Sequence, residues 1–205
     1  MEDLARRVRA NLERFERRAE PLGERRAAAV ALTLLPDKEG EACFLITMRA
    51  ARMKRHAGQF AFPGGRVDPG ETSEQAALRE LSEEVGLELD DGAVLGALDD
   101  YVTRSNYRIT PIVVWSPQSR TLVAEPAEVA AMHLVPLQAL EHPDVPRLRR
   151  IEQSERPVIS VPLDDALGVA IHAPTAAMLF QLREVALHGR HTRVAHYDAP
   201  VFAWK

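Results

Sequence analysis

The feature of this sequence best suited to chemistry is a trio of carboxylates. Glu80, Glu83 and Glu84 stand at i, i+3 and i+4, and at ~100° per residue a helix carries all three on one face. Like charges so placed repel, each pair costing an exposed helix a few tenths of a kcal/mol, so something positive is expected among them. Hard carboxylate oxygens suit Mg²⁺ or Mn²⁺, which keep several waters and bridge to the oxygens of a substrate phosphate. The alternative is an acidic, solvated helix face with Arg79 pairing locally. Metal chemistry of this kind needs no covalent nucleophile. Cys43 lies in an apolar run with no base nearby in sequence, which points to packing, and the seven histidines lack the ligand spacing of a zinc site.

The carboxylates need a rigid support, and the local sequence provides for one. Thr72 and Gln75 have the form of a capping box and Gly86 supplies a stop, so the spacing predicts a helix over Ser73–Val85. Leu78, Leu81 and Val85 give it an apolar face to set against a sheet, which would hold the carboxylates at a rim. Upstream, Pro63-Gly64-Gly65 reads as a tight turn with a loop running on to Glu71. The order is Gly65, five residues, Glu71, seven residues, Arg79-Glu80-Leu81, one residue, Glu83-Glu84, one residue, Gly86-Leu87. This pattern resembles the Nudix box at every defining position. The resemblance implies an α/β (α+β) architecture, the Nudix fold, with a mixed β-sheet sandwiched between α-helices. It implies also a divalent-metal hydrolase of nucleoside diphosphates linked to another moiety. In the family's terms Glu80, Glu83 and Glu84 become metal-binding residues, one of them also a candidate general base. Glu71 and Arg79 join the catalytic set by holding the loop on the helix, and the Gly65 carbonyl completes the metal shell. Glu125 and Glu128 are candidates for a further carboxylate from outside the box.

A second signal lies upstream: Leu45-Ile46-Thr47-Met48-Arg49-Ala50, then Lys54, His56, Gly58-Gln59 and Phe62-Pro63-Gly64-Gly65. It resembles the extension that marks the coenzyme A pyrophosphatase branch of the Nudix family. The resemblance implies cleavage of CoA or its derivatives to 3′,5′-ADP and 4′-phosphopantetheine, with Arg49, Lys54, His56, Gln59 and Arg66 as substrate contacts. The Arg49–Gln59 loop is the candidate for the cation that meets the extra phosphate of CoA, with Arg49 as the residue to test. The chain departs from the branch in carrying Lys54 where Arg is frequent, and Asn106 and Tyr107 where Ser105–Pro111 would have Gly and Phe. Two other readings remain: a Nudix pyrophosphatase acting on ADP-ribose or another nucleoside diphosphate derivative, and a non-catalytic nucleotide-binding module. The latter would be marked by loss of box carboxylates, and all three are present.

The remaining elements frame this centre. A chain of 205 residues, 46% apolar and 27% charged, suits one globular domain, read here as a Nudix hydrolase domain over 1–205. Within it, 1–22 is an amphipathic helix built on Leu4, Val8, Leu12 and Phe15. A net charge of −4 offers no general positive field, so no nucleic-acid partner is expected and a nucleotide must be gripped locally. One cysteine excludes an intrachain disulfide and fits the cytoplasm. No secretory signal and no ~20-residue apolar run is apparent, so no membrane partner is expected. Association into a homodimer is left open. Strands are expected at Ala28–Leu35 and Ala42–Met48 as a hairpin, then at Ala93–Val102, Ile109–Trp115 and Ala131–Val135. Short strands follow between Arg147 and Leu163, then a closing helix at Pro174–Leu187 and an edge strand at Val194–Trp204.

Overall fold

The computed structural model describes residues 1–51 and 58–204, with backbone alone at 202 and 203. Lys54 and His56, two of the expected substrate contacts, lie outside them. The amino-terminal period folds as α1 (Glu2–Arg14), burying Val8, Asn11 and Leu12. This helix ends well before Leu22. Phe15 turns to extended backbone and is itself buried, and the following stretch is then tied down by tertiary bonds. Arg17 Nε donates to the Leu98 carbonyl at 2.9 Å, the Arg18 N–H to Asp99 at 2.7 Å and the Glu20 N–H to Asp100 at 2.9 Å.

The hairpin forms from β1 (Arg26–Pro36) and β2 (Ala42–Arg49), antiparallel with Leu34 opposite Phe44. Two short strands follow, β3 (Phe60–Ala61) and β4 (Gly64–Arg66), before α2 (Ser73–Val85). Next come β5 (Val94–Ala97), β6 (Tyr101–Val102), β7 (Tyr107–Trp115) and β8 (Val129–Pro136). The single strand expected across 93–102 is thus two. Leu98–Asp100 leaves the sheet because both aspartates turn inward to bind the amino-terminal segment. β9 (Arg147–Ile151), β10 (Ser154–Leu163) and β11 (Val169–His172), with a one-turn α3 (Asp164–Leu167) between the last two, make a separate three-stranded sheet. The closing helix α4 (Thr175–Gln181) runs into a wider π-helical turn over Leu182–Leu187. The expected edge strand at Val194–Trp204 does not form. This segment makes one bridge, Asp198 to Val158, and a final 3₁₀ turn at Val201–Trp204.

The main sheet is mixed. Its centre is the pair β1 and β7, parallel from Arg26 opposite Tyr107 to Leu34 opposite Trp115. Both strands are long apolar runs, as expected of strands covered on both faces. Alternation then sorts the core. On one face Leu32, Leu34, Val113 and Trp115 pack with Val8 and Leu12 of α1 and with α4. On the other, Ala29, Ala31, Ile112 and Val114 pack with Ala77, Leu78, Leu81 and Val85 of α2. The other edge of β1 is shared: β2 pairs with its carboxyl end and β4 with Ala28–Val30. This split in the sheet places Gly64 and Gly65 beside α2.

Candidate active site

The helix that presents the carboxylates is fixed at both ends. Thr72 accepts the Gln75 N–H at 3.2 Å while the Gln75 side chain accepts the Thr72 N–H at 2.9 Å, a reciprocal capping box. Gly86, at φ 67°, closes the other end in the left-handed conformation that glycine adopts without steric cost.

Arg79 is the hub of the loop before it. Its Nε and Nη2 reach the two Glu71 oxygens at 2.9 and 3.1 Å, and Nη2 also donates to the Arg66 carbonyl at 3.0 Å. A bidentate pair of this kind fixes angle as well as distance. Hydrogen bonding to Arg79 accordingly holds the Glu71 carboxyl below its usual range. Arg79 Nη1 lies between Glu80 at 2.8 Å and Glu83 at 3.1 Å.

The three box glutamates occupy different environments. Glu83 is exposed, Glu80 is half-buried and Glu84 is buried. Burial pushes the Glu84 carboxyl up to about 8; Arg49 opposes this, Glu80 and Glu128 add to it, and a hydrogen bond from the Gly64 N–H pulls the other way. Glu80 is raised as well, by burial first, against its bond from Arg79 and with help from the charges of Glu83 and Glu128. Of the two outside carboxylates, Glu128 thus acts on both Glu80 and Glu84. Glu125 instead accepts the Ala127 N–H at 3.0 Å, while its own N–H donates to the Glu84 carbonyl.

Gly65 is where the Glu80 carboxylate packs against the sheet. A Cβ at that position would lie 2.2 Å from a Glu80 oxygen, so the absent side chain is the space the carboxylate uses. On the opposite face of β4 opens a cavity of about 910 Å³. Gly64, Gly65, Arg66, Arg49 and Gln59 line its near side. The rest of its wall includes Tyr101, Arg104, Tyr107, Arg156, Tyr197 and Trp204. Sequence reasoning missed most of this wall, because its residues come from distant segments and follow no local pattern. Cys43 is buried in β2 and its thiol is pushed up to about 11, mainly by burial, so packing is its role.

Among the described residues no three His, Cys, Asp or Glu side chains converge on one point. Arg79 Nη1 instead takes the space between Glu80 and Glu83. The donors nonetheless suit a hard divalent cation: they are carboxylate oxygens, two of them withdrawn from water and facing further negative charge from Glu128. The NUDIX domain profile matches residues 24–154. The chain belongs to the Nudix family. Among its relatives are Nudix hydrolase 3 of Caenorhabditis elegans, 35% identical over 56% of this chain and 49% of that protein. An uncharacterized Nudix hydrolase NudL of Photorhabdus laumondii subsp. laumondii is 42% identical over 55% and 59%. The chain therefore spans about half the length of these curated relatives. A solved NUDIX hydrolase of Alicyclobacillus acidocaldarius superposes with TM-score 0.53, covering 80% of this chain and 92% of that one at 16% identity. At that identity the likeness is one of fold. The Nudix fold expected from the sequence, a mixed sheet between helices, is the fold found.

Proposed function

We propose that this Nudix protein is a divalent-metal-dependent pyrophosphohydrolase that cleaves coenzyme A or its derivatives to 3′,5′-ADP and 4′-phosphopantetheine. The observation that carries the reading is the cavity of about 910 Å³ lined by Gly64 and Gly65, on the face of β4 opposite the carboxylates, with Arg49 and Gln59 of the upstream motif on its wall. Pockets for drug-sized ligands run from ~300 to ~1,000 Å³, so this one has room for a bulky nucleotide. The whole of 1–205 is taken as one working unit, since α1 and α4, outside the matched region, pack into the core behind the cavity.

In this reading Glu80, Glu83 and Glu84 hold Mg²⁺ or Mn²⁺, with Glu128 adding charge and the Gly65 carbonyl an oxygen. When bound, the metal neutralises charge on the diphosphate and lowers the pKa of a water. The protein's own groups do the rest. Glu71 and Arg79 keep the β4–α2 loop on the helix. Arg49, beside Glu84 and on the cavity wall, meets the diphosphate as a cation, and Gln59 offers a neutral donor. Water adds to one phosphorus, the bridging oxygen leaves with the other phosphate, and two phosphomonoesters result.

The test is kcat/KM for CoA, acetyl-CoA, dephospho-CoA, ADP-ribose, NADH and a diadenosine polyphosphate, with Mg²⁺ and with Mn²⁺. CoA or acetyl-CoA is expected to lead, and excess chelator to abolish turnover. ADP-ribose or a dinucleotide exceeding CoA by about tenfold would replace this substrate with the second reading. Undiminished turnover in chelator would remove the metal.

A further inference from the structure

Two arginines on the cavity wall converge on one tyrosine. In the registers of the sheet, Arg26 stands opposite Tyr107 and Ala28 opposite Arg66 and Ile109. Since strand residues alternate between faces, Arg26, Arg66 and Tyr107 share the cavity face, the one opposite α2. Arg26 Nη1 donates to the Tyr107 hydroxyl at 3.2 Å and Arg66 Nη2 to the same oxygen at 3.4 Å. The Arg26 guanidinium also lies 5.2 Å from the Tyr107 ring centroid.

Of the other arginines on this wall, Arg49 lends its charge to Glu84, Arg156 Nη1 donates to the Ala195 carbonyl at 3.3 Å, and Arg104 forms an ion pair with Asp198. Among the described residues neither Arg26 nor Arg66 has such a partner. Two like charges within reach of one neutral oxygen repel, and a phenol takes only two of the ten N–H donors that two guanidiniums carry. With both lone pairs engaged by the arginines, the phenolic O–H is left to donate outward. The three groups together present a positive concavity of N–H and O–H donors and no acceptor, which matches a phosphate dianion. The hydrogen bond from Arg66, with that from Arg26, also holds the Tyr107 phenol below its usual range against burial, which makes its O–H a stronger donor.

We propose that Arg26, Arg66 and Tyr107 form a second anion subsite, which takes a phosphomonoester borne by the nucleotide half of the ligand and distinct from the diphosphate that is cleaved. The proposal rests on the CoA reading for its ligand, since CoA carries such a group. It moves the expected contact with that phosphate from the Arg49–Gln59 loop to a triad across β4. Arg66 directly follows Gly65, whose other side meets Glu80, so the subsite and the carboxylates lie on opposite faces of one short strand. A ligand with two separated phosphate groups can then straddle that strand.

The test is calorimetric binding of 3′,5′-ADP and 5′-AMP to the intact protein, alongside kcat/KM for CoA and dephospho-CoA. Wild type is expected to favour the additional phosphate by about tenfold in both measurements. Arg26→Ala should cut both ratios to about twofold, and Tyr107→Phe, which removes only the O–H, should lower them by a smaller factor, about threefold. Arg26 is exposed, and unchanged melting temperatures will establish that the variants fold. Equal affinities for the two nucleotides in wild type would overturn the subsite even where CoA is the preferred substrate. So would a preference that survives Arg26→Ala. Should another diphosphate be the better substrate while 3′,5′-ADP keeps its Arg26-dependent advantage, the substrate reading falls and the subsite stands.

Discussion

Glu84 is where folding and chemistry conflict most directly. It is 4% exposed, near two other carboxylates, and a fold built for stability alone would carry a neutral side chain there. Replacing it with glutamine keeps its volume and removes the charge. Glu84→Gln is expected to lower kcat on the order of a hundredfold, with a metal-free melting temperature equal to or above that of wild type, because the cost of a buried carboxyl, burial first and repulsion from Glu80 and Glu128 second, is removed. Glu83→Gln should likewise reduce kcat, but with little effect on stability, since Glu83 is exposed and bonded only to Arg79. Wild-type rates in both variants would remove these residues from the metal site. The trio itself was legible in the sequence because helical spacing is local. The inequality among its members was not: Glu84 is buried, and the Arg49 charge and Gly64 N–H that partly offset that burial come from the sheet.

At the scale of elements, β4 decides how the site is built, and its two glycines do different work. A Cβ on Gly64 would lie 2.4 Å from the Ala29 carbonyl and 2.8 Å from the Val30 Cα, both backbone atoms of the central strand that cannot move without opening the sheet. The three atoms nearest a Cβ on Gly65 all belong to the end of the Glu80 side chain, which can swing aside. Gly64→Ala is therefore expected to destabilise by about 2–3 kcal/mol, read from denaturant midpoints. Gly65→Ala should cost less stability and far more activity, because displacing Glu80 disturbs its bond to Arg79. If Gly65→Ala kept full activity, the close approach of Gly65 to Glu80 would be incidental. The hairpin and α2 could be read from the chain because capping, alternation and turn residues act within a few positions. β4 could not: three residues carry no period, and it becomes a strand only because β2 leaves the amino-terminal half of β1 unpaired on that edge.

At the scale of the whole molecule, buried ion pairs tie distant segments together, and sequence patterns do not show them. Asp100 accepts from Arg17 and from Thr110 at 2.7 Å, and Asp99 from Arg193 at 2.7 Å and Gln181 at 2.9 Å. These bonds join the two ends of the chain to the central sheet. The tail is held in the same manner. The edge strand expected there is reduced to a single bridge at Asp198, whose buried carboxylate anchors the segment. Arg104 Nε donates to it at 3.0 Å, Ser154 at 2.7 Å and the Ala199 N–H at 2.8 Å. Arg104 in turn lies 4.1 Å from the Trp204 ring, on the cavity wall.

This anchor has a definite acid dependence. Burial alone would raise the Asp198 carboxyl, but the bonds from Arg104, Ser154 and Ala199 outweigh it and bring the value down to about 2. An unfolded aspartate titrates near ~3.9. With the folded value the lower of the two, the ionised form stabilises the fold above about pH 4, and that contribution is lost as pH falls toward about 2. Its size is on the order of 2 kcal/mol, with half gone by about pH 3. Asp198→Asn should therefore lower the urea midpoint at pH 7, and the gap between variant and wild type should narrow by about half as pH falls from 5 to 3. Since Asp198 holds Arg104 against Trp204, the variant should also raise KM at pH 7 more than it lowers kcat. A gap that stays constant across that range would mean that Asp198 stabilises the tail through its shape and neutral hydrogen bonds, and that its charge contributes nothing.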